Sequence, residues 1–307
     1  MVYDLAIIGG GPSGITAGIY AARQKMKTVL IAKSFGGQMA HKTVDIENYP
    51  GFDKISGLDL IEKFENQLKG KNVEILSEEL HAIVKENDSF KISFEDGKFI
   101  NATAVIIAAG AKPRKLDVEG ESEFLGRGVS YCTTCDGPLY QGKDIVIAGG
   151  GNAGFESAIF MQNYANKVYI LEYGPEARAD EENQKRANEN GKIELIVSAD
   201  IKKIQGSAFM EKVVYADRVT GEEKEIKAQG VFVQIGYSPA SHIVEHLADL
   251  NQRKEIIVNH DTMETRTPGL YAAGDITDGF LKQVVVAAAD GAKASMSAYK
   301  YLQSKNG

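Results

Sequence analysis

A chain of 307 residues carrying a net charge of −7 has length for two compact domains, at roughly 100–200 residues each, and lacks the basic face that nucleic-acid phosphates require. Hydrophobic residues at 43% and charged residues at 25% are ordinary for a globular protein, and no run of about 18 apolar residues is present to span a bilayer. Met1-Val2-Tyr3-Asp4 has neither the basic flank nor the cleavage site of an export signal, so the expected location is the cytoplasm.

Taken in chain order, the first element is an apolar strand, Leu5-Ala6-Ile7-Ile8, which runs into Gly9-Gly10-Gly11-Pro12-Ser13-Gly14. A helical pattern follows, then a second strand, Thr28-Val29-Leu30-Ile31-Ala32. Alternation over Phe90–Phe94 and the turn residues Glu95-Asp96-Gly97-Lys98 predict a hairpin, and Ala104–Gly110 is an apolar strand closed by Ala111-Lys112-Pro113-Arg114. Beyond a linker near Lys115–Glu119 come the chain's two cysteines, Cys132 and Cys135. The strand Ile145-Val146-Ile147-Ala148 then meets Gly149-Gly150-Gly151-Asn152-Ala153-Gly154, a helical stretch, and Lys167-Val168-Tyr169-Ile170-Leu171 with Glu172 at its end. The polar tract Ala177–Asn190 predicts a solvated helix, and Ser241–His246 is the second linker. Leu270-Tyr271-Ala272-Ala273-Gly274-Asp275 is a short strand ahead of an Ala-rich helical run, Gln283 to Tyr301.

Residues 6–32 and 146–172 align without a gap, each a βαβ unit opened by Gly-x-Gly-x-x-Gly. The first glycine permits the tight turn, the second admits a pyrophosphate to the backbone, and the third lets helix and sheet pack closely; the helix N-terminus stabilises the phosphate charge. Two such sites imply one bound flavin and one visiting nicotinamide. The expected fold is therefore α/β, with two Rossmann-like, three-layer dinucleotide domains. The FAD domain, 1–115 with 246–307, is split by an inserted nicotinamide domain at 116–245. Glu172 stands where a carboxylate accepts both adenosine ribose hydroxyls and repels a 2′-phosphate, which assigns the nicotinamide to the second unit and favours NADH over NADPH. Its counterpart is Ala32, followed by Lys33.

Cys132 and Cys135 are too few for a disulfide framework, and His41, His81, His242, His246 and His260 have no ligand spacing, so a zinc site is set aside in favour of redox chemistry. At a helix start the pair can close a small disulfide loop, and the N-terminus lowers a thiolate's pKa for exchange through a mixed disulfide. Asp136 reads equally as a general acid for a departing thiolate or as a helix-capping or salt-bridged carboxylate.

With these pieces, and with Phe35-Gly36-Gly37-Gln38, Asp45-Ile46-Glu47-Asn48-Tyr49, Cys132–Pro138, Leu171-Glu172-Tyr173, Phe232–Gly236, Ala273-Gly274-Asp275 and Lys282-Gln283-Val284, the chain resembles the low-molecular-weight thioredoxin reductases. It resembles more closely the flavoprotein subunit of bacterial alkyl hydroperoxide reductase. The resemblance implies FAD held by Gly9, Gly11 and Gly14 at its pyrophosphate, Gly37, Gln38 and Asn48 along the flavin, Asp275 at the ribitol, and Gln283 and Val284 near the pyrimidine end. It implies NADH at Gly149, Gly151, Asn152, Gly154, Glu172 and Arg178. Cys135 would face the flavin and Cys132 would attack the substrate disulfide, in a homodimer that cycles between two domain orientations. Three departures follow. The His-Arg-Arg-x-x-x-Arg of NADPH-using members is here Glu172-Tyr173-Gly174 with only Arg178 kept, Ala32 and Lys33 replace the usual acidic ribose residue, and no thioredoxin-like module precedes the first strand. Electrons are then expected to leave to a separate thioredoxin or glutaredoxin-like redoxin. Alternatives are a peroxiredoxin system fed through an adaptor, a donor ferredoxin in place of the nicotinamide, and a non-catalytic nucleotide sensor that would have no use for the cysteine pair.

Overall fold

Leu5–Ile8, Thr28–Ile31 and Ala104–Ile107 are buried at every position, as strands covered on both faces are, and they form the middle of the first sheet. The computed structural model describes residues 2–41, 46–189 and 191–306. It divides into two compact units, Met1–Lys112 with Ser238–Gly307, and Pro113–Tyr237. The first unit opens with β1 (Val2–Ile8), α1 (Pro12–Arg23), β2 (Thr28–Ile31), α2 (Gly57–Leu68), β3 (Val73–Leu76), β4 (Leu80–Glu86), β5 (Ser89–Phe94) and β6 (Phe99–Ile107). β3, β2, β1 and β6 are parallel neighbours, with Ile8 opposite both Ile31 and Ile107. The hairpin expected around Glu95–Lys98 joins β5 to β6, and β4 extends it as an antiparallel meander. Ser56 caps α2 by accepting the Asp59 N–H at 3.0 Å, a contact of the kind that contributes about 1 kcal/mol.

After β7 (Ala111–Pro113) the chain builds the second unit. Its elements are β8 (Val129–Ser130), α3 (Thr133–Asp136), β9 (Asp144–Ala148), α4 (Asn152–Met161), β10 (Lys167–Leu171), α5 (Glu181–Asn188), β11 (Ile193–Ile196), β12 (Ala199–Gly206), β13 (Met210–Asp217), β14 (Glu223–Lys227) and β15 (Gly230–Val233), closed by β16 (Tyr237–Pro239). The parallel sheet has the order β11-β10-β9-β15-β8, and β12-β13-β14 form a separate antiparallel sheet. The period-2 alternation of a strand sorts β9 between two cores. Ile145 and Ile147 pack with Phe155, Ala158 and Met161 of α4, whereas Val146 and Ala148 join Val213 and Tyr215 of the antiparallel sheet. This unit is thus three-layered: helices, parallel sheet, antiparallel sheet. The solvated helix is real but shorter than its tract, since α5 buries only Ala187; Asn190 lies outside the described residues.

The return crossing falls at Ser238, ahead of the expected residue 246. Ser241–His246 is the expected linker, but Ser241–Val244 forms a 3-10 turn tied to the first unit: Ser241 Oγ donates to the Lys254 carbonyl at 2.5 Å and Val244 is buried in that unit's core. The outgoing crossing likewise falls at Lys112, three residues before the expected 115. β17 (Leu270–Ala272) and α6 (Val284–Asn306) then complete the first unit. Nine-residue β6 receives β5 along its first half and β17 along its second, from Val105 to Ile107. α6 lies close on α1 because Gly291 stands where a Cβ would sit 2.1 Å from the Ser13 carbonyl oxygen.

Candidate active site

Two backbone cradles follow from the repeated glycines. Gly9 and Gly149 turn with φ of +119° and +114°, and a Cβ on Gly14 or Gly154 would stand 1.9 Å from the Gly9 or Gly149 carbonyl oxygen. Gly11 and Gly151 differ from these: a Cβ there would meet nothing within 4 Å. They are the N-caps of α1 and α4, and neither helix has a side-chain cap hydrogen bond, so the open space lies at the donor end of each helix. That geometry fits the pyrophosphates of FAD in the first unit and of a nicotinamide nucleotide in the second.

The first unit gathers the expected flavin-side residues. Gly37 lies beside Gly11, and the next side chain, Gln38, donates through Nε2 to the Ala111 carbonyl at 2.7 Å and to Asp275 Oδ2 at 2.8 Å. Asn48 Nδ2 donates to Gln283 Oε1 at 3.2 Å, and Val284 begins α6. Asp45 lies outside the described residues. A pattern search misses what holds the Asp275–Gln283 segment. Lys282 Nζ donates to the carbonyls of Asp275, at 3.1 Å, and Thr277, and is paired at 3.2 Å with buried Glu255.

In the second unit Glu172 is 4% exposed, and three donors converge on its carboxylate: Gly150 N–H at 2.6 Å, Gly174 N–H at 2.7 Å and Arg178 Nη2 at 3.2 Å. Burial alone would raise its pKa; the backbone donors and Arg178 outweigh it and hold the carboxyl below its ordinary value. Arg178 is thereby engaged with Glu172. Arg218 from the β13–β14 turn stacks over the Tyr173 ring at 3.9 Å and donates to the Tyr173 carbonyl at 2.9 Å. Asn152 exchanges two hydrogen bonds with Asp180, its Nδ2 donating to the carboxylate and its Oδ1 accepting the Asp180 N–H, which anchors the start of α5.

Cys132 and Cys135 form a disulfide. The helix they open is a single turn, Thr133–Asp136, with Cys132 as its N-cap, so it carries far less dipole than a full helix would supply. Asp136 is buried and its carboxylate accepts from Ser130 Oγ at 2.5 Å; the 3-10 turn that it precedes has no side-chain cap hydrogen bond. Tyr131, before the pair, donates to buried Glu121 at 2.8 Å, while its carbonyl accepts from Gln234 Nε2 at 3.3 Å. Burial first, then Asp136's charge, pushes Tyr140 up to about 12. Among the described residues no cluster of His, Cys, Asp and Glu could hold a metal ion, and no helix is long and apolar enough to cross a membrane.

The family model of pyridine nucleotide-disulphide oxidoreductases matches residues 3–291. The chain belongs to this family. The NADH dehydrogenase of Bacillus subtilis is 38% identical over 300 residues, and an alkyl hydroperoxide reductase component of Escherichia coli is 37% identical over 307. Each match covers 98% of this chain, which spans 58% of the length of either relative. The thioredoxin reductase structure from Streptococcus pyogenes superposes with a TM-score of 0.92 at 38% identity, covering 99% of both chains. The fold is therefore that of a thioredoxin reductase.

Proposed function

We propose that the chain passes two electrons from NADH through FAD and the Cys132/Cys135 pair to the disulfide of a small redoxin of the thioredoxin or glutaredoxin kind. The observation that carries the reading is a disulfide on a one-turn helix in the same unit as an open Gly149–Gly154 cradle. Glu172 with Gly149, Gly151, Asn152, Gly154 and Arg178 would hold the nicotinamide nucleotide. Gly9, Gly11, Gly14, Gly37, Gln38, Asn48, Asp275, Gln283 and Val284 would hold FAD. When bound, FAD supplies the exchange between a hydride donor and a dithiol.

The chain's own residues then perform the exchange. Asp136 takes the proton of the Cys132 thiol, the thiolate attacks one sulfur of the partner disulfide to form a mixed disulfide, and Asp136 as general acid returns that proton to the departing partner thiolate. The Cys135 thiol then loses its proton and attacks the Cys132 sulfur, freeing the second partner thiol and restoring the internal disulfide. Two electrons leave the chain and two thiols form on the partner. NADH is favoured over NADPH because Glu172 is held anionic and Tyr173 and Gly174 supply no cation. The match to a hydroperoxide reductase component supports one second reading, in which the redoxin is the adaptor of a peroxiredoxin system. The cytoplasm and a homodimer complete the proposal on the strength of the resemblance.

The test is replacement of either cysteine by serine. Each variant is expected to lose redoxin reduction entirely while NADH still reduces the flavin and oxygen reoxidises it. Near-normal redoxin reduction by either variant overturns the assignment of the pair.

A further inference from the structure

The hydroxyl of Ser130 sits behind the disulfide, at the end of β8, with two partners that belong to the exchanging turn. It accepts the main-chain N–H of Cys132 at 3.0 Å and lies 2.5 Å from Asp136 Oδ2 and 3.4 Å from the Cys132 carbonyl. A serine hydroxyl carries one proton. With the Cys132 N–H already on its oxygen, that proton points to an acceptor, and the close carboxylate outcompetes the distant carbonyl. The three groups form one directed chain, from Cys132 N–H to Ser130 O–H to the Asp136 carboxylate, inside a region where Ser130 is 4% and Asp136 9% exposed.

We infer that Ser130 is a positioning residue for disulfide exchange, its hydroxyl tying the Asp136 carboxylate to the backbone of the attacking cysteine. The inference rests on the reading of Cys132 and Cys135 as the exchanging pair. Two consequences follow from the geometry. Any shift of the Cys132 backbone, as when its sulfur changes partner, is transmitted to the group that handles its proton. The donated hydrogen bond also favours the anionic carboxylate, the form that accepts a proton from the Cys132 thiol.

Three elements pack other groups near Asp136. The following 3-10 turn contributes the Tyr140 phenol, whose edge-on neighbour at 5.0 Å is Phe232 of β15. α4 contributes the uncharged Ser157, whose hydroxyl lies 3.2 Å from that of Thr133, together with Met161 and Phe160 beside Gly137, and its Glu156 is exposed. Within α3, Thr134 Oγ1 lies 3.5 Å from Cys132 Sγ. The phenol stays protonated at neutral pH.

The experiment follows the rate at which fully reduced, flavin-loaded protein consumes an aryl disulfide, 5,5′-dithiobis(2-nitrobenzoate), as a function of pH. Removing the hydroxyl in Ser130→Ala withdraws a donor from the anion, so the acid limb of the rate is expected to move upward by about one pH unit. Ser130→Thr, which keeps a hydroxyl, restores the limb. In an Asp136→Asn background, Ser130→Ala shifts nothing further. A uniform loss at every pH, or the same displacement with Asp136 already replaced, means that Ser130 only packs the turn and overturns the inference. A second measurement needs no Ser130 variant: infrared difference spectra of the wild type, with Asp136→Asn for assignment, are expected to show an ionised Asp136 at neutral pH, and a protonated one contradicts the directed chain. If the wild-type dithiol leaves the aryl disulfide untouched, the proposed function falls. If it reacts and Ser130→Ala keeps the wild-type profile, the positioning role alone falls.

Discussion

The two glycine cradles have the same backbone and opposite chemistry at the ends of their second strands. Gly9 and Gly149 share their left-handed φ, Gly14 and Gly154 the same close approach, and Gly11 and Gly151 the same open space. At the ends of the second strands the likeness stops. The first unit has Ala32 and an exposed Lys33 paired with Glu79 at 2.6 Å, whereas the second has buried Glu172 under three donors. Phosphate is met by N–H groups, which every sequence has, so only the absence of side chains is constrained there. In the proposed reading the sugar and its 2′ position would be met by side chains, and there the two copies part.

The largest expected effect breaks the two cradles separately. Gly14→Ala and Gly154→Ala each force a methyl to within 1.9 Å of a carbonyl oxygen, so the turn or the helix must move. Overpacking of this kind costs about 1–3 kcal/mol and opens the cradle. Gly14→Ala is expected to emerge without flavin, as read by its visible absorbance. Gly154→Ala is expected to keep flavin and lose its reduction by nicotinamide. The same phenotype from both contradicts the division of labour.

Next comes the ribose corner. NADH should exceed NADPH in kcat/KM by on the order of a hundredfold, and His, Arg and Arg at positions 172, 173 and 174 should move the ratio toward NADPH. Steady-state rates with both coenzymes at fixed salt measure it, and equal use of both contradicts the role given to Glu172. Arg178 is held by Glu172 at 3.2 Å, so in that triple variant it is freed and adds to the shift.

The effect on activity is smallest for a pH dependence of stability peculiar to the second corner. The Glu172 carboxyl titrates below its ordinary value in the fold. The stability it contributes is therefore present above the unfolded value of about 4.3 and is lost as pH falls through the folded one. Glu172→Gln should cost about 1.5–3 kcal/mol at neutral pH, the worth of hydrogen bonds to a charged group. It should also flatten the acid decline, as read by denaturant unfolding at several pH values. The first corner, with no buried carboxylate at Ala32 or Lys33, contributes no such slope.

What was legible in the chain follows the same division. The cradles could be read because phosphate turns require glycine at fixed spacing, and the β1, β2, β9 and β10 strands because they are apolar on both faces. β12, β13 and β14 escaped notice because β14, Glu223–Lys227, buries only Ile226 and reads as a charged loop. The boundary at Ser238 was missed because the Ser241 hydroxyl bond to Lys254 leaves no periodic trace. Ser130 acts through hydrogen bonds to main chain and to a residue that is a neighbour only after folding, and nothing in Val129-Ser130 marks it; Lys282 stands in a quoted segment, Lys282-Gln283-Val284, but its hold on Asp275 and Glu255 leaves no trace there. Glu172 was expected at a ribose, but its three internal donors could not be inferred from the strand that carries it.

Anaerobic titration of the flavin-loaded protein with NADH tests the central claim most directly. If electrons pass from NADH to the flavin and on to the Cys132/Cys135 disulfide, the wild type takes up about two equivalents of NADH per chain before the flavin stays reduced, and the double serine variant about one. Uptake of a single equivalent by the wild type, or no difference between the two proteins, would show that the disulfide lies outside the electron path.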